Sequence, residues 1–305
     1  MNESPLISVV IPAYNRAKTI TYCLDSIVRQ TYQTLEVIVV DDCSKDDTVA
    51  IVRAYPDARV RCVVLDKNSG AQAARNRGIL EARGEWIAFQ DSDDEWMPEK
   101  LDQQVAELRS VGFQQMTVVH TNGLIHYEDG TSKIIYSPAL EPVHGKDVYG
   151  MVLTESRVLF QGLLTSKAAL QNIGLLDVHV VAHQEWDTSI RLGKICTFAY
   201  LSAPYFKWHI HSGETVSRNN AKDVEGFFYI ISKHWKDIEE ICGQVIIRKL
   251  IYGLLRRCLD FRLWNYYDIY RKKLNPPVTI RFVLLRISRM LHINPNKLQF
   301  KKPIY

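Results

Sequence analysis

The sequence is short of several features that would each have fixed a function class. Its six cysteines (Cys23, Cys43, Cys62, Cys196, Cys242, Cys258) form no C-x-x-C pair and have no histidines at zinc spacing, which argues against a disulfide framework and a structural zinc site. That usage suits a reducing compartment. No uncharged apolar run reaches membrane-spanning length, and Met1–Pro5 leads into a strand without the basic start and apolar stretch of a signal peptide. The expected location is therefore the cytoplasm. Charge is nearly balanced: Lys+Arg 38 against Asp+Glu 34 gives net +4, too mild an excess to argue for nucleic acid. What is present is 305 residues at 47% hydrophobic content, enough for a full core and for one large domain with an appendage, or two domains.

The chain is organised around Trp86–Trp96, WIAFQDSDDEW. A short apolar run reads as a buried strand and ends in Asp91, Asp93 and Asp94 before Pro98 opens a helix. Three carboxylates at a strand end repel one another, so a hard divalent cation is a natural occupant; the alternative is a solvated acidic turn capping the next helix. An EF-hand is excluded, since Trp96 stands where that loop needs Gly and Asp102 where it needs Glu.

Upstream, strands and helices alternate. Leu6–Ile11 is β-branched and closed by Pro12, and Asn15–Gln30 has helical spacing of Ile20, Leu24, Ile27 and Val28. Leu35–Val40 is a strand ending in Asp41-Asp42, followed by a short helix through Val52 for which Ser44 and Asp47 suggest a cap. Val60–Leu65 is the third strand, Ser69–Ala82 the next helix up to Gly84, and Trp86–Phe89 the fourth strand. Nearly continuous apolar strands alternating with helices predict an α/β fold, a Rossmann-like, mostly parallel sheet with helices on both faces. Such a sheet binds ligands beyond the carboxyl ends of its strands. Pro12-Ala13-Tyr14, Asp41-Asp42, Asp66 with Asn68, and Asp91-Ser92-Asp93 should then share one rim.

The first strand–helix turn, IPAYNRAKT, contains no Gly, so phosphates cannot be cradled there on backbone N–H groups as in a dinucleotide fold or a P-loop. A metal held by Asp91 and Asp93 would neutralise them instead, while Tyr14 packs on a base and Asp41 or Asp42 accepts its N–H.

Four segments in order, SVVIPAYNRAKTI, VIVVDDCSKDDT, NSGAQAARNRGI and WIAFQDSDDEW, together resemble the nucleotide-binding half of the family 2 glycosyltransferases, which have the GT-A fold. The resemblance implies a nucleoside-diphosphate-sugar donor, most often UDP-linked. It places Pro12, Tyr14, Asp41 and Asp42 in the uridine pocket and makes Asp91-Ser92-Asp93 the D-x-D motif that meets ribose and Mn²⁺ or Mg²⁺. Gln90 stands where the family usually has a hydrophobic residue before D-x-D.

Met116–Tyr136 alternates irregularly around Gly123 and Asp129-Gly130, which suggests an antiparallel hairpin; His120 within it reads as a packed or solvent-facing side chain. The run HQEWDTSIRLGKI fits a helix with Glu185 and Asp187 in its first turn, where acidic residues are favoured by the backbone dipole alone. It also resembles the family's E-D-W motif, with Gln184-Glu185-Trp186 in place of the acidic pair. The resemblance gives Glu185 the role of general base, with Asp187 in reserve. An acceptor hydroxyl is a poor nucleophile near neutral pH, so a carboxylate must take its proton. One base and no evident enzyme nucleophile imply direct displacement with inversion.

Tyr205–Ser217, YFKWHIHSGETVS, resembles the family's closing segment, which implies that His211 reaches the metal or diphosphate. The expected organisation is a GT-A catalytic domain over 1–220, split at 97/98 into nucleotide-binding and acceptor-binding halves, and a basic helical extension over 221–305. Val224–Arg262 and Val278–His292 read as helices interrupted by Asn275-Pro276-Pro277. From Val245 to Tyr305 there are fourteen Lys and Arg against Asp260 and Asp268. In Val278–His292 the basic residues gather on one side and most aliphatics face away. Two readings stand: a tail on the anionic cytoplasmic leaflet that meets a lipid-linked acceptor, or a helical subdomain packed on the core with a basic outer face. The expected function is a metal-dependent inverting transfer from a UDP-sugar to a glycan or lipid-linked saccharide in surface-polysaccharide or glycolipid assembly. The alternatives are a non-catalytic sugar-nucleotide-binding or scaffold protein of the same fold and a sugar-nucleotide pyrophosphorylase, which would need the missing Gly-rich loop.

Overall fold

β-branched runs too short for helices build the centre of the chain. The computed structural model describes residues 4–135, 148–156, 158–210, 219–277 and 279–292. Strands β1 (Ile7–Ala13) and β2 (Leu35–Asp41) are buried at every position, as is β4 (Trp86–Phe89), while β3 (Val60–Val64) is half-exposed at the sheet edge. They lie in the order β3-β2-β1-β4, all parallel, so their carboxyl ends share one rim as the alternation predicts.

Helices cover both faces of this sheet. On one, Ile20, Cys23, Leu24 and Ile27 of α1 (Ile20–Val28) share a core with Val9, Ile11, Val37 and Val39. After α2 (Thr48–Arg53), α3 (Ala71–Glu81) covers the other, its Ala74 and Ile79 joining Val10, Ile38 and Val40. Glycine is required where elements approach most closely: a Cβ on Gly84 would lie 2.4 Å from the Leu6 carbonyl oxygen.

Downstream come β5 (Glu95–Trp96), α4 (Lys100–Ser110), β6 (Thr117–His126), β7 (Ser132–Ile134), α5 (Val148–Thr154), β8 (Leu164–Ser166), α6 (Lys167–Asn172), α7 (Gln184–Gly193) and β9 (Thr197–His209). The sheet continues past β4 as β8-β6-β9-β5, with β8 antiparallel to both β4 and β6. The expected hairpin exists, β7 pairing antiparallel with β6, but β6 also runs parallel to β9 and so sits inside the sheet. Such mixed pairing joins strands distant in sequence, and local alternation carries no trace of it. His120 is buried beside Phe198 and Tyr200, and that burial pushes its pKa down to about 3, which keeps the ring neutral.

Two boundaries differ from expectation for identifiable reasons. α1 begins at Ile20, five residues late, because Asn15 takes a left-handed φ of 53° and both its N–H and its side chain are spent on the next turn, with Ser44 Oγ and the Lys45 N–H. Ser44 is thereby occupied, so it does not cap α2; Asp46 accepts from the Thr48 N–H instead. The long helix expected over Val224–Arg262 is broken. It comprises α8 (Asn220–Lys233), α9 (Trp235–Asp237), a π turn over Ile238–Cys242 and α10 (Gly243–Asp260), with Gly243 at φ 74° restarting the chain.

α11 (Trp264–Leu274) was not anticipated; Asn275, left-handed at φ 41°, ends it ahead of the two prolines. α12 (Ile280–Met290) follows. Its outer side is basic only in part: Arg286 and His292 are exposed there, in company with aliphatic residues. Phe282, Leu285 and Ser288 are buried, and Arg289 is half-buried, its guanidinium pairing with Asp268 at 2.7 Å and lying over Trp264. Val283, Ile287, Met290 and Leu291 face outward. The chain divides into two compact units, one of residues 1–179 and 184–213 and the other of 180–183 and 214–305. Among the described residues no helix is long and apolar enough to cross a membrane.

The sheet also buries an acid at the start of β2. Glu36 on β2 is 1% exposed; it accepts from Ser8 Oγ at 2.7 Å and from the Arg83 N–H and Nε at 2.7 and 2.9 Å. Burial alone would raise its pKa, but the Ser8 and Arg83 donors outweigh it and hold it below the usual range. Glu36 therefore stabilises the fold above the ordinary carboxyl pKa, and that contribution fades as pH falls through its lowered value. Glu36→Gln is expected to cost about 2 kcal/mol at neutral pH, with the gap closing toward acid, as read by urea unfolding across a pH series.

Candidate active site

The rim at the carboxyl ends of β1, β2 and β4 carries the polar residues singled out in the sequence. Pro12 is buried within β1, and Tyr14 just beyond it is 41% exposed. Asp41 and Asp42, adjacent at the end of β2, have different fates. Asp42 accepts from the N–H groups of Ser69 and Gly70 at 2.6 and 2.8 Å, so both its oxygens are spent on the turn that starts α3. Asp41 accepts from the Ser44 N–H through one oxygen, while Oδ1 is buried without a hydrogen-bond partner among the described residues. A buried carboxylate oxygen in that state can accept a donor from water or from a ligand. Asn68 is exposed in the turn after β3, and Ser92 is buried.

At the end of β4 the carboxylates are separated by dedicated partners. Asp91 Oδ1 receives Arg75 Nη2 at 2.7 Å, and its Oδ2 receives Gln161 Nε2 at 2.7 Å. The same Gln161 nitrogen is 2.7 Å from Asp94 Oδ2, whose other oxygen accepts the His209 N–H at 2.9 Å. Asp93 lies 3.4 Å from Arg16 Nη2, and its carbonyl accepts from Tyr22 Oη. Desolvation and the neighbouring carboxylates push Asp94 well above the usual carboxylate range. Desolvation also raises Asp91, with Arg75 pulling against it.

Arg75 was missed in the sequence, although it lies within NSGAQAARNRGI. Its side chain is 6% exposed, and the guanidinium sits 4.3 Å over the Phe160 ring. Besides Asp91 it donates to Gln72 Oε1 at 3.1 Å and to Gln184 Oε1 at 2.9 Å. Gln184 opens α7, so one guanidinium joins the end of β4 to the helix turn that holds Glu185. Trp186, 1% exposed, pins that turn from the other side by donating to the Val152 carbonyl at 2.6 Å. Glu185 between them is part-exposed. Asp187, the reserve candidate, is fully buried with Arg191 Nε at 2.8 Å, and Arg191 in turn holds the Ile173 and Leu175 carbonyls. That environment suits it to fixing α7, not to meeting an acceptor.

Gln161 and Arg16 also escaped the sequence reading. An amide before a three-residue strand and an arginine after an exposed tyrosine give no local signal. His209 holds Glu95 through Nε2 at 2.7 Å, so it braces the acidic turn. His211 lies outside the described residues. Among the described residues no group of three His, Cys, Asp or Glu side chains is placed to hold a metal ion. Removing the guanidinium at the centre of this network tests its structural share. Arg75→Met is expected to cost about 2 kcal/mol at neutral pH and less as the pH is lowered, because protonation relieves the raised carboxyls left behind; thermal melts across a pH series read the difference.

Residues 8–135 match the model of glycosyl transferase family 2. The chain is 29% identical over 242 residues to a putative colanic acid biosynthesis glycosyl transferase, WcaA, of Escherichia coli K12, covering 77% of this chain and 83% of that one. It is 27% identical over 260 residues to an E. coli UDP-Glc:alpha-D-GlcNAc-diphosphoundecaprenol beta-1,3-glucosyltransferase, WfaP, covering 84% and 97%. Against the succinoglycan biosynthesis protein ExoO of Rhizobium meliloti the identity is 46%, but over 114 residues that make up 37% of this chain and 33% of ExoO. Among solved structures, Staphylococcus aureus TarS 1-349 in complex with UDP-GlcNAc superposes with a TM-score of 0.65 at 21% identity, over 93% of this chain and 79% of that one, which shows a common GT-A fold. Motifs, sheet order and relatives agree on glycosyl transferase family 2 for the segment of residues 8–135.

Proposed function

We propose that the chain transfers a sugar from a UDP-sugar to a hydroxyl of a glycan or lipid-linked saccharide, with inversion at the anomeric carbon and Glu185 as general base. The observation that carries this reading is the Arg75 bridge, which holds the first turn of α7 beside the carboxylates ending β4. Two relatives add support. WfaP by its name uses UDP-Glc and a diphosphoundecaprenol-linked acceptor, and TarS binds UDP-GlcNAc in its solved complex.

The residues divide the work. Asp41 Oδ1, buried without a hydrogen-bond partner among the described residues, takes the uracil N–H in this reading, and Tyr14 packs on the base. Asp93 and Asp91 face the ribose and diphosphate with Ser92, and Asn68 lines the donor cleft from the turn after β3. Asp93 and Asp91 would hold Mg²⁺ or Mn²⁺, with His211 as the further ligand that the resemblance implies and with phosphate oxygens and water completing the shell. When bound, the cation neutralises charge on the departing diphosphate. Glu185 accepts the acceptor hydroxyl's proton as its oxygen bonds to the anomeric carbon and the bond to the diphosphate breaks, releasing UDP.

The test is UDP release from a panel of UDP-sugars, with and without divalent cation, for the parent and Glu185→Gln. The parent is expected to turn over one donor in a cation-dependent way. The variant should lose roughly a hundredfold or more in kcat while retaining UDP affinity, since a general base contributes on that scale. A variant as fast as the parent would remove the base assignment, and UDP binding without turnover of any donor would favour the scaffold reading.

A further inference from the structure

α12 presents two unlike sides. At about 100° per residue, Met290, Val283, Ile287 and Leu291 fall within roughly 100° of arc on the outward side, at 73%, 39%, 36% and 58% exposure. Four large apolar side chains in one exposed stripe cost free energy in water, and a monomer rarely carries such a patch without use for it. The stripe has a cationic border. Arg286 is exposed next to it on the helix, and with Arg271 it lines a small open cleft walled by Tyr267, Pro276, Pro277, Phe282 and Val283.

The charge around the stripe selects its occupant. The two aspartates in the last 61 residues are already engaged, Asp268 with Arg289 at 2.7 Å and Asp260 with Arg256 at 3.5 Å. Of the other twelve of the fourteen Lys and Arg from Val245 onward, Arg257 pairs with Asp223 at 3.1 Å, and the rest still leave a large positive surplus. A second copy of this chain would bring the same charge and be repelled, and a nucleic acid would leave the apolar stripe in water. An anionic lipid surface satisfies both features, its acyl boundary taking the stripe and its phosphates the guanidiniums.

We infer that α12 docks on an anionic membrane, inserting Val283, Ile287, Met290 and Leu291 into the interface while Arg271 and Arg286 receive a lipid headgroup phosphate at the cleft. The proposal is independent of the transfer chemistry and is tested without it. The full chain is floated with vesicles of phosphatidylcholine alone or mixed with phosphatidylglycerol, beside two double variants, Ile287→Glu/Met290→Glu and Arg271→Gln/Arg286→Gln. The parent should rise with the mixed vesicles and bind pure phosphatidylcholine at least roughly tenfold more weakly, and added salt should weaken it. Both variants should bind roughly tenfold more weakly or worse, with circular-dichroism melts like the parent's, because the substituted apolar side chains are exposed. A parent that stays unbound, or an Ile287→Glu/Met290→Glu variant that binds as the parent does, overturns the docking surface. An arginine variant that binds as the parent does overturns the headgroup site. Dimerisation of the parent in sedimentation velocity, abolished by Ile287→Glu/Met290→Glu without any vesicle binding, would assign the stripe to self-association and overturn the proposal.

Discussion

Asp91, Asp93 and Asp94 stand within four residues at the end of β4, and the unit around them is built to keep that charge in place. Three carboxylates this close are tolerated only when cations and donors divide them. Arg75 takes one oxygen of Asp91 at 2.7 Å, Gln161 spans Asp91 and Asp94, the His209 N–H takes Asp94, and Arg16 stands 3.4 Å from Asp93. These partners come from α3, from the turn before β8, from β9 and from the turn after β1. The acidic end of one short strand therefore fixes the relative placement of elements that are distant in sequence.

The same network links fold to chemistry. Because Arg75 also holds Gln184, electrostatic satisfaction of the acidic turn and placement of the α7 first turn are one event. Trp186 and the Asp187–Arg191 pair then fix the rest of α7 by burial, leaving Glu185 part-exposed between them. Asp41 and Asp42, adjacent on the rim, differ in the same way. Asp42 is saturated by the amides that start α3, and Asp41 keeps a buried oxygen without a hydrogen-bond partner among the described residues.

Much of this was legible in the residues. Apolar β-branched runs ending in polar residues gave the four parallel strands and their common rim, because periodicity and burial are local properties. What escaped depended on long-range partners. Arg75 reads as an ordinary helix residue until β4 and α7 are placed around it, and Gln161 carries no pattern of its own. Asn15 gave a helix start five residues early because its left-handed backbone is fixed by bonds to the next turn. On α12 the sorting of basic and aliphatic residues was visible, but not that aliphatic side chains share the exposed side with Arg286. Asp268 and Trp264, on a helix the periodicity did not reveal, draw Arg289 inward.

The central claim is that a single guanidinium couples the acidic end of β4 to the helix bearing the proposed base. A double-mutant cycle on kcat/KM with Arg75→Met and Gln184→Leu addresses that coupling directly. The account predicts strong non-additivity, the double variant being little worse than Arg75→Met alone, since the Gln184 contact is already lost with the guanidinium. Losses that simply add would mean that the two residues act separately and that the bridge does not position α7.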